Sequence, residues 1–182
     1  METLSYSTMN SPAGPLLLAV SERGLVLLAF AGGQFPPNKS RSLWVESSNS
    51  IAAYVSELEE YFAGQRRVFT LPLDLRGTEF QLKCWHALEG IPYGETRTYA
   101  QIAGAVGRPQ AFRAVGLANN RNPIAIIVPC HRVIASDGTL CGYGGGLEIK
   151  RKLLELEARS SGFVAPRLHA SVRGVGPRTA EA

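Results

Sequence analysis

The sequence predicts an α/β (α+β) fold: an N-terminal antiparallel sheet with one helix, followed by a mostly helical C-terminal part that contains a helix-turn-helix. Three observations predict it. Short apolar runs separated by turn residues fill the first thirty positions. Helical periodicity opened by two capping boxes dominates after Gly77, and two short helices meet across a glycine near position 107.

Leu4 to Met9, Leu16 to Val20 and Leu25 to Phe30 are strand-like runs. Asn10-Ser11-Pro12-Ala13-Gly14 and Ser21-Glu22-Arg23-Gly24 supply the turns between them. The polar stretch Gly32 to Ser50, with Pro36-Pro37, reads as a loop. Ile51, Val55, Leu58 and Phe62 then recur at helical spacing and stop at Gly64, and Val68 to Leu75 reads as a returning strand. No residue of this half carries chemistry on its own pattern, so residues 1–76 read as a scaffold domain.

Residues 77–160 form the second unit. Thr78-Glu79-Phe80-Gln81 opens a helix with Phe80, Cys84, Trp85 and Leu88 on its apolar side, ending near Gly90. Thr98-Tyr99-Ala100-Gln101 opens a second, which stops at Gly107. Pro109 suits the first turn of the next helix, whose Gln110, Arg113, Gly116 or Leu117, and Asn120 share a stripe beside Ala111 and Ala114. That slim surface with one long cation suits a nucleic-acid groove, and it equally suits an ordinary helical hairpin. Leu147 to Glu157 is a helix that packs through Leu147, Leu153, Leu154 and Leu156 and exposes Lys150, Arg151 and Lys152. Residues 161–182, rich in Gly, Pro, Arg and Ser, are expected to form a flexible tail.

Composition narrows the function classes. A chain of 182 residues with 45% hydrophobic content has the material for a real core, and its longest apolar run, Ile124 to Val128, is far too short to span a bilayer. The Met-Glu-Thr-Leu-Ser start lacks a signal-peptide pattern. Three cysteines without regular spacing argue against a disulfide framework and for a reducing, cytoplasmic setting. Cys84, Cys130, Cys141, His86, His131 and His169 form no zinc-ligand spacing, so neither metal nor other cofactor is expected. The net charge of +4 is a mild hint of a polyanionic partner, and it lies mostly in the second half.

Ile124-Ala125-Ile126-Ile127-Val128 runs like a strand straight into Pro129-Cys130-His131-Arg132-Val133. A cysteine attacks as its thiolate, and an adjacent imidazole can take the proton. Proline lacks an N–H, so the chain is expected to turn there and present the thiol in a pocket. A buried small hydrophobe beside a surface histidine is the plain alternative.

Together with Arg113-Ala114-Val115-Gly116, Asn122-Pro123 and Gly142-Tyr143-Gly144-Gly145-Gly146-Leu147, that stretch resembles the O6-alkylguanine-DNA alkyltransferases. The motifs span roughly Phe80 to Glu157; the N-terminal half resembles the family only in its β-rich outline and length, which implies a ribonuclease H-like sheet. The resemblance implies direct transfer of an alkyl group from O6-alkylguanine in duplex DNA, with O4-alkylthymine as a second candidate substrate, onto Cys130, once per molecule. It implies that His131 draws off the thiol proton through a bound water and that Glu157 orients the imidazole. It implies that Tyr99 donates to guanine N3 and lies near the phosphate 3′ of the target, and that Asn122 holds the cysteine-bearing turn. Arg113 would replace the extruded nucleotide from the minor groove, with Tyr99, Ala111, Ala114 and Gly116 along the DNA. The base pocket would be lined by Val133, Tyr143, Gly144 and Gly145, with the Val133 carbonyl accepting from the exocyclic amine. Gly144 stands where some members carry serine, which keeps the amide and loses a hydroxyl. Cys141 reads as a pocket-loop residue. The implied partner is double-stranded DNA, without a membrane; the protein is expected to be a monomer in solution, with clustering on DNA left open. Relatives that only bind damage replace the cysteine, and Cys130 with His131 and Glu157 disfavours that class here.

Overall fold

The computed structural model describes residues 2–31, 44–162 and 169–170. Strands β1 (Leu4–Met9), β2 (Leu16–Ser21), β3 (Gly24–Phe30) and β4 (Trp44–Glu46) form one sheet in the order β3-β2-β1-β4. The first three pair antiparallel as their turns dictate, whereas β4 joins β1 in parallel, with Leu4 opposite Trp44. The expected loop over Gly32 to Ser50 is therefore corrected at its end. Trp44 packs on Tyr6 and turns a polar stretch into an edge strand, and helix α1 (Ser48–Phe62) starts at Ser48. Positions 32–43 of that expectation lie outside the described residues.

β2 is buried on both faces. Leu16, Leu18 and Val20 enter the main core with Ile51, Tyr54, Leu58 and Tyr61 of α1, while Leu17 and Ala19 pack with Leu27 and Ala29 on the other side. Val68 to Leu75 is not a strand: Leu73 alone makes a bridge, to Leu25. Gly24 is needed there, because a Cβ would lie 2.4 Å from the Pro72 carbonyl oxygen and its φ is +144°.

Both capping boxes form. Thr78 and Gln81 cap α2 (Glu79–Glu89), and Thr98 and Gln101 cap α3 (Tyr99–Ala105). α4 (Phe112–Asn120) completes the helix-turn-helix after Gly107, whose φ is +73°. Pro109 lies in the turn closed by the Ala111 N–H on the Arg108 carbonyl, ahead of α4, and Ala111 is the residue before its first turn. Its fixed φ serves a turn as well as a helix start. Short strands β5 (Arg97–Thr98) and β6 (Val133–Ile134) pair in parallel. α5 (Leu147–Ser161) extends past Glu157, and β7 (Thr139–Leu140) pairs in parallel with β8 (His169–Ala170). The rest of the expected flexible tail, 163–168 and 171–182, lies outside the described residues.

Two parts of the α5 reading change. Lys150 is fully buried, and Leu147 is 38% exposed. Lys150 falls on the same helical stripe as Leu153, Leu154 and Glu157, all of them buried, and its stem is apolar enough to follow them inward.

Ile124 to Val128 is not a strand either, although it alternates like one. Ile124, Ile126 and Val128 are buried and the residues between them less so, but only Ile124 makes a bridge, to Leu28. The Leu28 N–H donates to the Pro123 carbonyl and the Ala125 N–H to the Leu28 carbonyl, so the free edge of β3 grips the start of this segment. Beyond it the hydrogen bonds become local. The Ile127 N–H reaches the Ala125 carbonyl at 2.8 Å around Ile126, whose φ is +69°. A β-branched residue there is strained, and complete burial of its side chain offsets the cost.

Candidate active site

A second tight turn follows. Pro129 has φ −83° and ψ 61°, and the Cys130 N–H donates to the Val128 carbonyl at 2.8 Å, an inverse γ-turn. The expected turn at proline is therefore present, and it leads into a single 3-10 turn over Cys130–Arg132. Asn122 fastens this loop. Its Nδ2 donates to the Val128 carbonyl at 2.7 Å and to Cys130 Sγ at 3.1 Å, while its Oδ1 accepts from the Ile124 N–H at 3.0 Å.

His131 is fully buried, not a surface histidine. Its Nε2 lies 2.7 Å from Glu157 Oε1, and Glu157, also fully buried, is not a surface residue ending a helix. The carboxylate accepts five hydrogen bonds: from His131, Tyr61 Oη (2.8 Å) and Arg132 Nη2 (3.0 Å) at Oε1, and from Arg132 Nε (2.9 Å) and the Gly94 N–H (3.0 Å) at Oε2. Burial opposes ionisation of Glu157, but the partners His131 and Arg132 outweigh it and hold the carboxyl far below its usual range. An ionised carboxylate only accepts, so His131 carries its hydrogen on Nε2, and burial keeps the ring neutral by lowering its pKa. Nδ1 is then an acceptor, and it is buried with no partner among the described protein groups.

Burial also raises the Cys130 pKa, so the thiol rests protonated. The Asn122 hydrogen bond and the charge of Lys150 pull the other way. Lys150 Nζ donates to the Val133 carbonyl at 2.6 Å and the Cys141 carbonyl at 3.0 Å, and burial lowers its pKa to about 8. One lone pair of the Val133 carbonyl is thus already engaged. Tyr99, first residue of α3, lies with its ring centroid 6.0 Å from Lys150 Nζ, and burial raises its phenol pKa.

On α4, Phe112, Arg113 and Ala114 are exposed, and the Arg113 guanidinium lies 5.9 Å from the Phe112 ring centroid. Arg113 makes no salt bridge among the described residues. Gly116 faces Tyr99, and a Cβ there would stand 3.8 Å from its ring. The glycine loop closes over the thiol from the other side. Tyr143, Gly144 and Gly145 line a cavity of about 20 Å³ with Cys130, Asn119 and Asn122. Gly145 has no room for a side chain, since a Cβ would lie 2.9 Å from Phe30 of β3.

The structure therefore gathers Cys130, His131, Glu157, Asn122, Tyr99, Val133, Tyr143, Gly144 and Gly145 around one thiol. It sets Arg113 and Ala114 on the exposed side of α4, with Ala111 at its start. Sequence reading missed Tyr61, Gly94, Arg132 and Lys150 as partners of the site. Helical spacing carried a signal for two of them: Tyr61 shares a stripe with Tyr54 and Leu58, and Lys150 shares one with Glu157. Among the described residues no group of three or more His, Cys, Asp or Glu could hold a metal, and no helix is long and apolar enough to cross a membrane.

A neutral buried thiol, an imidazole poised as acceptor by an ionised carboxylate and an adjoining helix-turn-helix define a protein of the nucleophilic-cysteine, DNA-binding class. The 6-O-methylguanine DNA methyltransferase family models match both parts: the ribonuclease-like domain over residues 4–75 and the DNA-binding domain over 79–159. The chain belongs to this family. The methylated-DNA–protein-cysteine methyltransferase of Mycolicibacterium paratuberculosis is 51% identical over 87% of this chain and 94% of its own length. Its namesake from Methanosarcina barkeri is 52% identical over 84% and 96%. The crystal structure of Mycobacterium tuberculosis O6-methylguanine methyltransferase matches with a TM-score of 0.80 and 50% identity, over 88% of this chain and 94% of that one. The structure of the Mycobacterium tuberculosis protein in complex with DNA matches with a TM-score of 0.80 at 49% identity, covering 86% and 94%.

Proposed function

We propose that this protein repairs duplex DNA by moving the alkyl group of O6-alkylguanine irreversibly onto Cys130, one group per molecule. The observation that carries the reading is the geometry of the site: a buried thiol held by Asn122, next in the chain to a histidine whose Nε2 is engaged by Glu157 and whose Nδ1 has no partner among the described residues. Displacement at an alkyl carbon needs a soft nucleophile generated at the moment of attack. As the sulfur–carbon bond forms and the carbon–O6 bond breaks, the thiol proton passes to His131 Nδ1, directly or through one water. The imidazolium is stabilised by Glu157, which stays ionised. Tyr99, kept protonated by burial, donates to guanine N3 as charge builds there. The proton taken up by His131 offsets the one given by Tyr99, and exchange with solvent restores both groups, so overall the alkyl group replaces hydrogen on sulfur and a hydrogen replaces the alkyl group on guanine.

The target base must leave the stack to reach a thiol that is 7% exposed. Arg113, exposed and without a salt bridge among the described residues, fills the vacated space from the minor groove, and the small Ala114 and Gly116 let α4 approach closely. A thioether has no leaving group for a second displacement, which makes the protein a reactant consumed once. O4-alkylthymine presents the same alkyl–oxygen bond and is a second substrate on this chemistry.

Intact-mass measurement after incubation with O6-methylguanine duplex tests the reading. One adduct mapping to Cys130, absent in Cys130→Ser, is expected. Product released beyond one equivalent sinks the single-turnover mechanism.

A further inference from the structure

Asn119 lies in the last turn of α4 and is 6% exposed. Neither its Nδ2 nor its Oδ1 has a hydrogen-bond partner among the described residues. Its neighbour Asn122 differs in this respect, since both of its amide atoms hold the cysteine loop. An amide removed from water without replacement partners is costly, and the position it occupies is a core position. Val115 and Ala118, the other buried residues of α4, are apolar. A leucine would satisfy the packing pattern at 119.

Asn119 lines the same small cavity as Cys130, and a second buried polar group without a partner among the described residues, the Tyr143 hydroxyl, belongs to a residue of that cavity's wall. Resting on the alkyl-transfer reading above, we infer that Asn119 is a recognition residue of the acceptor pocket, hydrogen-bonding the polar edge of the purine brought to Cys130. A carboxamide offers one acceptor and two donor hydrogens, and a purine edge presents ring-nitrogen acceptors and an exocyclic amine. An amide already desolvated and fixed on a helix gains its partners only when the base arrives. A ligand lacking those groups leaves it unpaired, and this is the basis of discrimination by buried polar groups.

Single-turnover kinetics of Asn119→Leu test the inference, with O6-methylguanine duplex and free O6-benzylguanine as substrates. The half-saturating concentration is expected to rise about tenfold or more for both, the equivalent of one lost hydrogen bond. The limiting rate and the rate of Cys130 alkylation by iodoacetamide are expected to stay within about twofold, because the relay is untouched. The melting temperature is expected to be at or above that of the parent, since the unpaired amide is gone. Should leucine overfill the cavity and lower the melting temperature, Asn119→Ala provides the same kinetic comparison without added bulk. Half-saturation unchanged in the variant that folds, which an amide holding only internal water would give, overturns the inference while alkylation of Cys130 in the parent leaves the proposed function standing. Failure of the parent to alkylate at all removes both.

Discussion

The Tyr61 hydroxyl donates a 2.8 Å hydrogen bond to Glu157 Oε1, joining residues 96 positions apart in the chain. Tyr61 is fully buried on α1, and Glu157 is fully buried on α5. The N-terminal part therefore touches the carboxylate that sets the tautomer of His131. It is more than a scaffold for the half that carries the thiol.

Tyr61→Phe keeps the ring packing against Phe62, Phe69 and Tyr93 and deletes only the donor. A buried hydrogen bond to a charged acceptor is worth about 1.5–3 kcal/mol, so urea denaturation is expected to show a loss of that size. A loss below about 0.5 kcal/mol would mean that the remaining four bonds satisfy Glu157 unaided.

Glu157→Gln leaves the Arg132 guanidinium buried without its counter-charge, a change that costs about 3–5 kcal/mol. The depressed carboxyl pKa also fixes a pH signature. Such a group stabilises the fold above the ordinary carboxylate range, and its contribution is lost as pH falls from about 4.5 toward the lower folded value. Acid denaturation of the parent is expected to steepen below that pH, and the Gln variant to show a flatter limb. Weaker stabilisation of the imidazolium should also raise the apparent pKa of the Cys130 thiol; an unchanged pH–rate profile removes Glu157 from the relay.

Lys150→Met tests the buried ammonium. Between about pH 8, its folded value, and 10.5, its ordinary one, the unfolded chain binds the extra proton, so stability contributed by this group rises with pH across that window. Chemical denaturation at pH 7.5 and 9.5 is expected to show this rise in the parent relative to the variant. Loss of the charge also raises the thiol pKa, which slows iodoacetamide alkylation at neutral pH.

Asn122→Ala removes the donor to Cys130 Sγ, unpairs the Ile124 N–H and leaves the Val128 carbonyl with the Cys130 N–H alone. A buried backbone donor left unpaired costs about 1–3 kcal/mol. The thiol pKa is expected to move up, because the bond that favours the thiolate is lost. A thiol titration that shows no upward shift contradicts the role of the 3.1 Å contact.

Arg113→Ala separates extrusion from chemistry. Repair of O6-methylguanine in duplex DNA is expected to fall by at least tenfold, with reaction of free O6-benzylguanine nearly unchanged, because only the duplex needs a base taken out of its stack. Equal loss on both substrates argues against an extrusion role.

Local chemistry was readable wherever the signal was local. Thr78, Gln81, Thr98 and Gln101 declared two helix starts, the turns before β2 and β3 declared two hairpins, and Pro129 declared the bend that carries Cys130. Ile124 to Val128 misled because alternation reports which side chains are buried and not which backbone groups pair. Here a γ-turn at Ile126 satisfies locally what a neighbouring strand would otherwise satisfy. Lys150 misled in the opposite way: its charge argued for solvent while its helical phase, shared with Glu157, argued for the interior.

By itself, the sequence determined the two-part α/β plan and the helix-turn-helix and singled out Cys130 as the candidate nucleophile, because capping, turn formation and a thiol next to an imidazole depend on residues a few positions apart. Only the tertiary structure decided how that thiol is controlled. Tyr61, Gly94 and the adjacent pair His131 and Arg132 converge on Glu157 from three separate segments, and Lys150, on the same helix as Glu157, reaches the Val133 carbonyl. The charge state of a buried group follows from every dipole and ion packed against it, and that set exists only once the chain has closed around it.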